Sequence, residues 1–90
     1  MEPKEADDEI REVCQQVKEL IQQQHPESFE IISYATQVVA GTNFFVKIRV
    51  TEEGQCIHAR IFRALPHAGS GVTIHTIHPG KSLQDPLEYF

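Results

Sequence analysis

Cys56 and His58 stand two residues apart in "QCIHARIFRAL", so in an extended strand both project from one face. A thiol and an imidazole side by side are half of a metal site. Zinc takes three or four such ligands in a matched outer shell, and His75 or His78 of "VTIHTIH" would have to supply the rest. No Cys-x-x-Cys or His-Glu-x-x-His spacing supports that set, so no metal ligand is assigned and the strand histidines read as solvated positions. Cys14 falls inside an apolar stripe and reads as a small buried hydrophobe. Ser28, Ser33, Ser70 and Ser82 occupy no nucleophile-elbow pattern, and there is no glycine-rich phosphate loop. Glu5, Asp7, Asp8, Glu9 and Glu12 read as a solvated helix start. Lys47, Arg49, Arg60 and Arg63 read as the soluble outward face of a sheet. The expectation is a protein that is not an enzyme and uses no cofactor.

Ninety residues fit one domain with a single modest core. A net charge of −5 lacks the basic footprint that nucleic acid requires, although five histidines would bring it toward zero in mild acid. The opening "MEPKEADDEI" is too acidic and polar for a secretory signal. No apolar run approaches the roughly 20 residues that span a bilayer, so no membrane role is expected. Two cysteines in such a chain read as free thiols, and a cytoplasmic location is expected.

The elements follow from the spacing of apolar residues. Ile10, Val13, Cys14, Val17, Leu20 and Ile21 recur at three and four, the stripe of one long amphipathic helix over 7–24. Asp7, Asp8 and Glu9 favour its N-terminus, and His25-Pro26 ends it. Beyond Pro26 the period becomes two. Phe44, Val46, Ile48 and Val50 share one face; Phe45, Lys47 and Arg49 share the other. Ile57, Ala59 and Ile61 oppose Cys56, His58, Arg60 and Phe62 in the next strand, and Val72, Ile74 and Thr76 share a face in the last. "FEIISYAT" breaks parity, which predicts a bulge, and Glu52–Gln55 predicts a turn around Gly54. Short connections imply antiparallel hairpins. The fold class is α+β: a single long amphipathic helix packed on a four-to-five-stranded antiparallel sheet. The whole chain, 1–90, is one domain, with a short arm over 1–6, the helix over 7–24 and the sheet over 28–90.

Two turns are unusual. Turn tips normally carry Gly, Asn, Asp, Pro or Ser, yet "QVVAG" places Gln37, Val38, Val39, Ala40 and Gly41 between the first two long strands. "LPHAGSG" places Leu65, Pro66 and His67 between the last two. Alternate turns of an antiparallel meander share one end, so these tips are neighbours and form an apolar edge shaped to enter a cleft. The competing reading folds the valines back onto the core.

"QVVAGTNFFVKIRV", the "LPH" after "RIFRA" and the closing "DPLEYF" resemble the stefins, the intracellular branch of the cystatin inhibitors of papain-like cysteine proteases. The resemblance runs from about Ile10 to Phe90. It implies a curved cystatin-like sheet wrapped around the helix. It also implies a wedge of N-terminal arm (Met1, Glu2, Pro3), first hairpin (Gln37 to Gly41) and second hairpin (Leu65, Pro66, His67) that fills the active-site cleft of proteases such as papain and cathepsins B, H and L. Blockade would be steric and reversible. Gly41 would supply a turn conformation that a β-carbon strains, Pro66 would stiffen the second tip, and His67 at the rim would make contact strength depend on pH.

The family carries an arm glycine that this chain lacks before its helix. The arm is also short and acidic, which places most of the expected binding on the hairpins. Two other readings share the same tips: an interaction module or scaffold for a non-protease partner, and a self-associating form. In the latter the first hairpin opens and a domain-swapped dimer replaces the expected monomer. Cys56, on an outward strand face, would offer a disulfide-linked dimer on oxidation.

Overall fold

The computed structural model describes residues 3–65, 71–88 and 90. Its elements are β1 (Lys4–Glu5), α1 (Asp8–Gln15), α2 (Lys18–Gln24), β2 (Glu30–Val39), β3 (Gly41–Arg49), β4 (Gln55–Arg63) and β5 (Val72–Ser82). The five strands form one sheet in the order β1-β2-β3-β4-β5, every neighbouring pair antiparallel. This is the α+β class expected, with the helical layer on one face.

The single helix expected over 7–24 is two segments. Gln16 and Val17 donate their N–H groups to the carbonyls of Val13 and Cys14, three residues back, and this tightened turn separates α1 from α2. Neither glycine nor proline marks it. Ile10, Val13, Cys14, Val17 and Ile21 are all buried, but Leu20 is 56% exposed and leaves the predicted stripe. Asp7 caps the helix: one carboxylate oxygen accepts from the Ile10 N–H at 3.1 Å and the other from the Tyr34 hydroxyl at 2.8 Å. The Tyr34 bond, then the Ile10 bond, hold the Asp7 carboxyl below its ordinary range. Burial first, and Asp7 second, push the Tyr34 hydroxyl up to about 12. One side chain thus ties the start of α1 to the middle of β2.

Against this helical face pack Phe44, Val46, Ile48 and Val50 of β3 and its following residue, with Ile57, Ala59 and Ile61 of β4. The parity break in β2 is a register shift between Ile31 and Ser33, which leaves Ile32 without a partner on β3. A second shift corrects the reading of β5. Ile61 pairs with Ile74 but Arg60 with Thr76, so His75 is the extra residue. Ile77, opposite Ala59, takes the core position predicted for Thr76.

The other sheet face is covered, not solvated. The segment after β5 crosses it: Lys47 Nζ donates to the Leu83 carbonyl at 2.9 Å and Arg60 Nη1 to the Phe90 carbonyl at 2.6 Å. The Phe90 ring packs edge-on to Phe45 and stacks on His78. Under this strap Lys47, Cys56 and His58 are buried, which overturns the solvated reading for His58 and the exposed, oxidisable Cys56, whereas His75 is exposed as expected. The expected basic cluster is also divided. Arg49 pairs with Glu30 at 3.2 Å, and Arg63 lies over the Phe44 ring at 5.0 Å, on the helical side. The strap's own apolar residues, Leu87 and Phe90, supply a cover that strand alternation alone does not announce.

His58 gives this cover a pH signature. Desolvation first, then the charges of Lys47 and Lys81, push its imidazole down to about 4, while Asp85 opposes them. Its Nε2 finds no hydrogen-bond partner among the described residues. An unfolded histidine titrates near 6.5, so between about pH 6.5 and 4 the unfolded chain binds a proton that the folded chain refuses. This contribution is intact above that window and is lost as pH falls through it. Urea unfolding at stepped pH should show stability falling there by at most about 1.4 kcal/mol per pH unit for this one proton. His58→Leu should flatten that slope; an unchanged slope would contradict the assignment.

Candidate functional site

β2 and β3 run in register to their common end: Gln37 faces Asn43, Val38 faces Thr42 and Val39 faces Gly41, with Ala40 at the apex. From Thr36 to Phe45 no residue is charged. The valines do not fold back. Val38 is 82% exposed and Val39 47%. Behind them Asn43 Nδ2 approaches Gln37 Oε1 at 3.4 Å, a cross-strand contact at the base of the tip.

Gly41 explains why the tip keeps this shape. Its φ of +131° is a conformation that side-chain-bearing residues rarely adopt. It is also buried against β4. A β-carbon there would lie 2.6 Å from the Arg63 carbonyl oxygen and 2.6 Å from Phe62 Cζ. Both contacts are too close for carbon, and one is to backbone, which cannot swing aside. The Phe62 ring in turn meets His75 at 5.5 Å, which links the first hairpin through β4 to the bulge of β5. Phe62, Arg63 and Asn43 thus support the tip. Sequence reasoning identified Gly41 as a turn residue but not these supports, because nothing in strand alternation says which cross-strand neighbour lies beneath a turn.

The second hairpin ends level with the first. Arg63 pairs with Thr42 on one side and Val72 on the other, and the Ala64 N–H donates to the Gly71 carbonyl at 2.9 Å across the loop base. Leu65 is exposed at 39%. Pro66 and His67 lie outside the described residues, as do Met1 and Glu2. Pro3 is exposed. Because Lys4 pairs with Tyr34 and Glu5 with Ser33, the antiparallel register directs Pro3 toward the Val39 end of β2. The Thr51–Gly54 turn, with Gly54 at φ +98°, lies at the opposite end.

This arrangement offers shape and apolar surface. Burial pushes the Cys14 thiol up to about 12 and also raises that of Cys56, so both stay protonated and inert at neutral pH. Among the described residues no three His, Cys, Asp or Glu side chains are placed to hold a metal ion, and no helix is long and apolar enough to cross a membrane.

Residues 2–73 match the cystatin domain family. The chain is 38% identical over 92 residues to Cystatin-A of Felis catus, an alignment covering 99% of this chain and 93% of that protein. It is 36% identical over 85 residues to Cystatin-B of Mus musculus, covering 91% and 86%. With Cystatin-B of Oplegnathus fasciatus the identity is 35% over 91 residues, covering 98% and 90%.

The two kinds of tip residue should separate in a stability measurement. Gly41→Ala combines positive-φ strain with overpacking and should cost about 3 kcal/mol in urea unfolding. Val38→Ser removes only exposed surface and should stay within about 0.5 kcal/mol of the parent. A silent Gly41→Ala would mean that the close approach to β4 is not maintained in solution.

Proposed function

This chain belongs to the cystatin family, a stefin-type member of a family of cysteine protease inhibitors that are not enzymes, and on that premise we propose that it blocks papain-like proteases by steric, non-covalent insertion of its two hairpin tips. The observation that carries the reading is the exposed Val38-Val39-Ala40 apex on a hairpin whose base cannot yield. A rigid tip loses little conformational entropy on docking, so dehydration of its apolar surface translates into affinity. The tip presents no charge that would have to be desolvated in a cleft.

Leu65, Pro66 and His67 form the second tip in this reading. Met1, Glu2 and Pro3 form an arm whose contribution is reduced, since it has no glycine for close approach and carries an acidic residue. The hairpins flank the protease's catalytic cysteine and histidine without offering a peptide bond to the nucleophile. The acting species is the monomer, because exchange of the first hairpin between chains would consume the tip. The targets are papain and cathepsins B, H and L, and the location is the cytoplasm.

Titration of active-site-calibrated papain and the three cathepsins with fluorogenic peptides tests this. Equimolar, reversible loss of activity with the chain left uncut is expected. Val38→Asp should raise the inhibition constant at least about 30-fold, because it places a charge in a dry contact, while thermal stability is unchanged. Deletion of residues 1–4 should cost less than replacing Gly41 with a bulky residue. Parent-like inhibition by Val38→Asp, or none by the verified monomer, would contradict the reading.

A further inference from the structure

At the end of the sheet away from the tips, a groove of about 650 Å³ opens between the helices and the start of β2. Arg11, Gln15 and Lys18 form one wall; Phe29, Ile31 and Ile32 form the other. Two local irregularities border it. The Gln16–Val17 break lies between Gln15 and Lys18, and the β2 bulge leaves Ile32 without a pairing partner. Neither serves the hairpin tips. Val38 is seven residues along β2 from Ile31, about 23 Å at the rise of an extended strand. Bulges and helix breaks of this kind recur where a fold is opened beside a binding site.

The chemistry of the walls selects the occupant. The strand wall is an aromatic ring and two isoleucines. The helix wall carries two cations in a chain whose net charge is −5. Lys18 Nζ sits 5.5 Å from the Phe29 ring centroid and has no ion-pair partner among the described residues. Arg11 meets the exposed Asp8 at 3.3 Å through Nη1 and the Ala6 carbonyl at 3.5 Å through Nη2, both at the solvent-exposed start of α1. The one carboxylate in the lining, Glu30, is engaged by Arg49 at 3.2 Å. Free positive charge beside apolar surface complements an anion with an apolar body.

We propose that this groove binds a small amphipathic monocarboxylate, its acyl or aryl body against Phe29, Ile31 and Ile32 and its carboxylate between Arg11 and Lys18. For a ligand of this size, affinity is expected in the millimolar range.

Sodium octanoate is the probe, followed by amide NMR on the full chain, with octan-1-ol as its uncharged counterpart. Octanoate should give saturable shifts at residues 15–18 and 29–32. Lys18→Glu should weaken it about fivefold and Gln15→Trp, which fills the groove, should remove the saturable shifts. Octanol should bind more weakly and ignore Lys18→Glu. Papain inhibition should be the same in both variants and the parent, which separates this site from the tips. Octanoate shifts that never saturate, an affinity indifferent to Lys18→Glu, or octanol binding as well as octanoate would each overturn the proposal. The last of these would mark the groove as merely apolar.

Discussion

The contact between the Gly41 backbone, the Arg63 carbonyl and the Phe62 ring is the constraint on which the working end of this molecule depends. It fixes a turn that only glycine fits and brings the end of β3 flush against β4. The valines that precede it stand outside the core, Val38 82% and Val39 47% exposed. Leaving them in water forgoes burial worth about 1.5–3 kcal/mol for a side chain of this type. The structure tolerates that loss because the core is filled by other residues. The surface left unburied is then available to a partner.

Rigidity behind the tips comes from covering both faces of the sheet. The helices lie on one face, anchored where Asp7 joins the first turn of α1 to Tyr34. The strap after β5 lies on the other, held by Lys47, Arg60 and the Phe90 ring. A two-sided sheet cannot slip by one residue without exposing an apolar face. The strap also buries a titratable imidazole, His58, and that desolvation is the main force opposing its protonation.

Much of this was legible in the residues. Helical periodicity, the cap at Asp7, the period-two strands, the β2 bulge and the place of the QVVAG turn all follow from local rules of spacing and backbone geometry, whereas the exposure of its valines was settled by the fold. What was not legible depended on tertiary contacts. The Gln16–Val17 break has no glycine or proline to announce it. The outer face of β3 and β4 alternates like a solvated one until Phe90 is seen to pack on Phe45 and His78. Ile77 replaces Thr76 in the core because one extra residue, His75, enters β5 where the register with β4 shifts. For the proposed site, Gln37 to Gly41 stand out in the sequence as a motif, whereas Phe62 beneath Gly41 required the fold itself.

In the proposed inhibition the tips occlude a protease cleft by shape, with no bond to the catalytic thiol. The most direct measurement is binding of this protein to papain whose active-site cysteine has been capped with a methylthio group, followed calorimetrically beside the uncapped enzyme. Steric occlusion predicts a saturable one-to-one complex with the capped enzyme, weakened only to the extent that the small cap crowds the cleft. Absence of any complex with the capped enzyme, alongside tight binding to the uncapped one, would show that the thiol itself is required and would contradict the account.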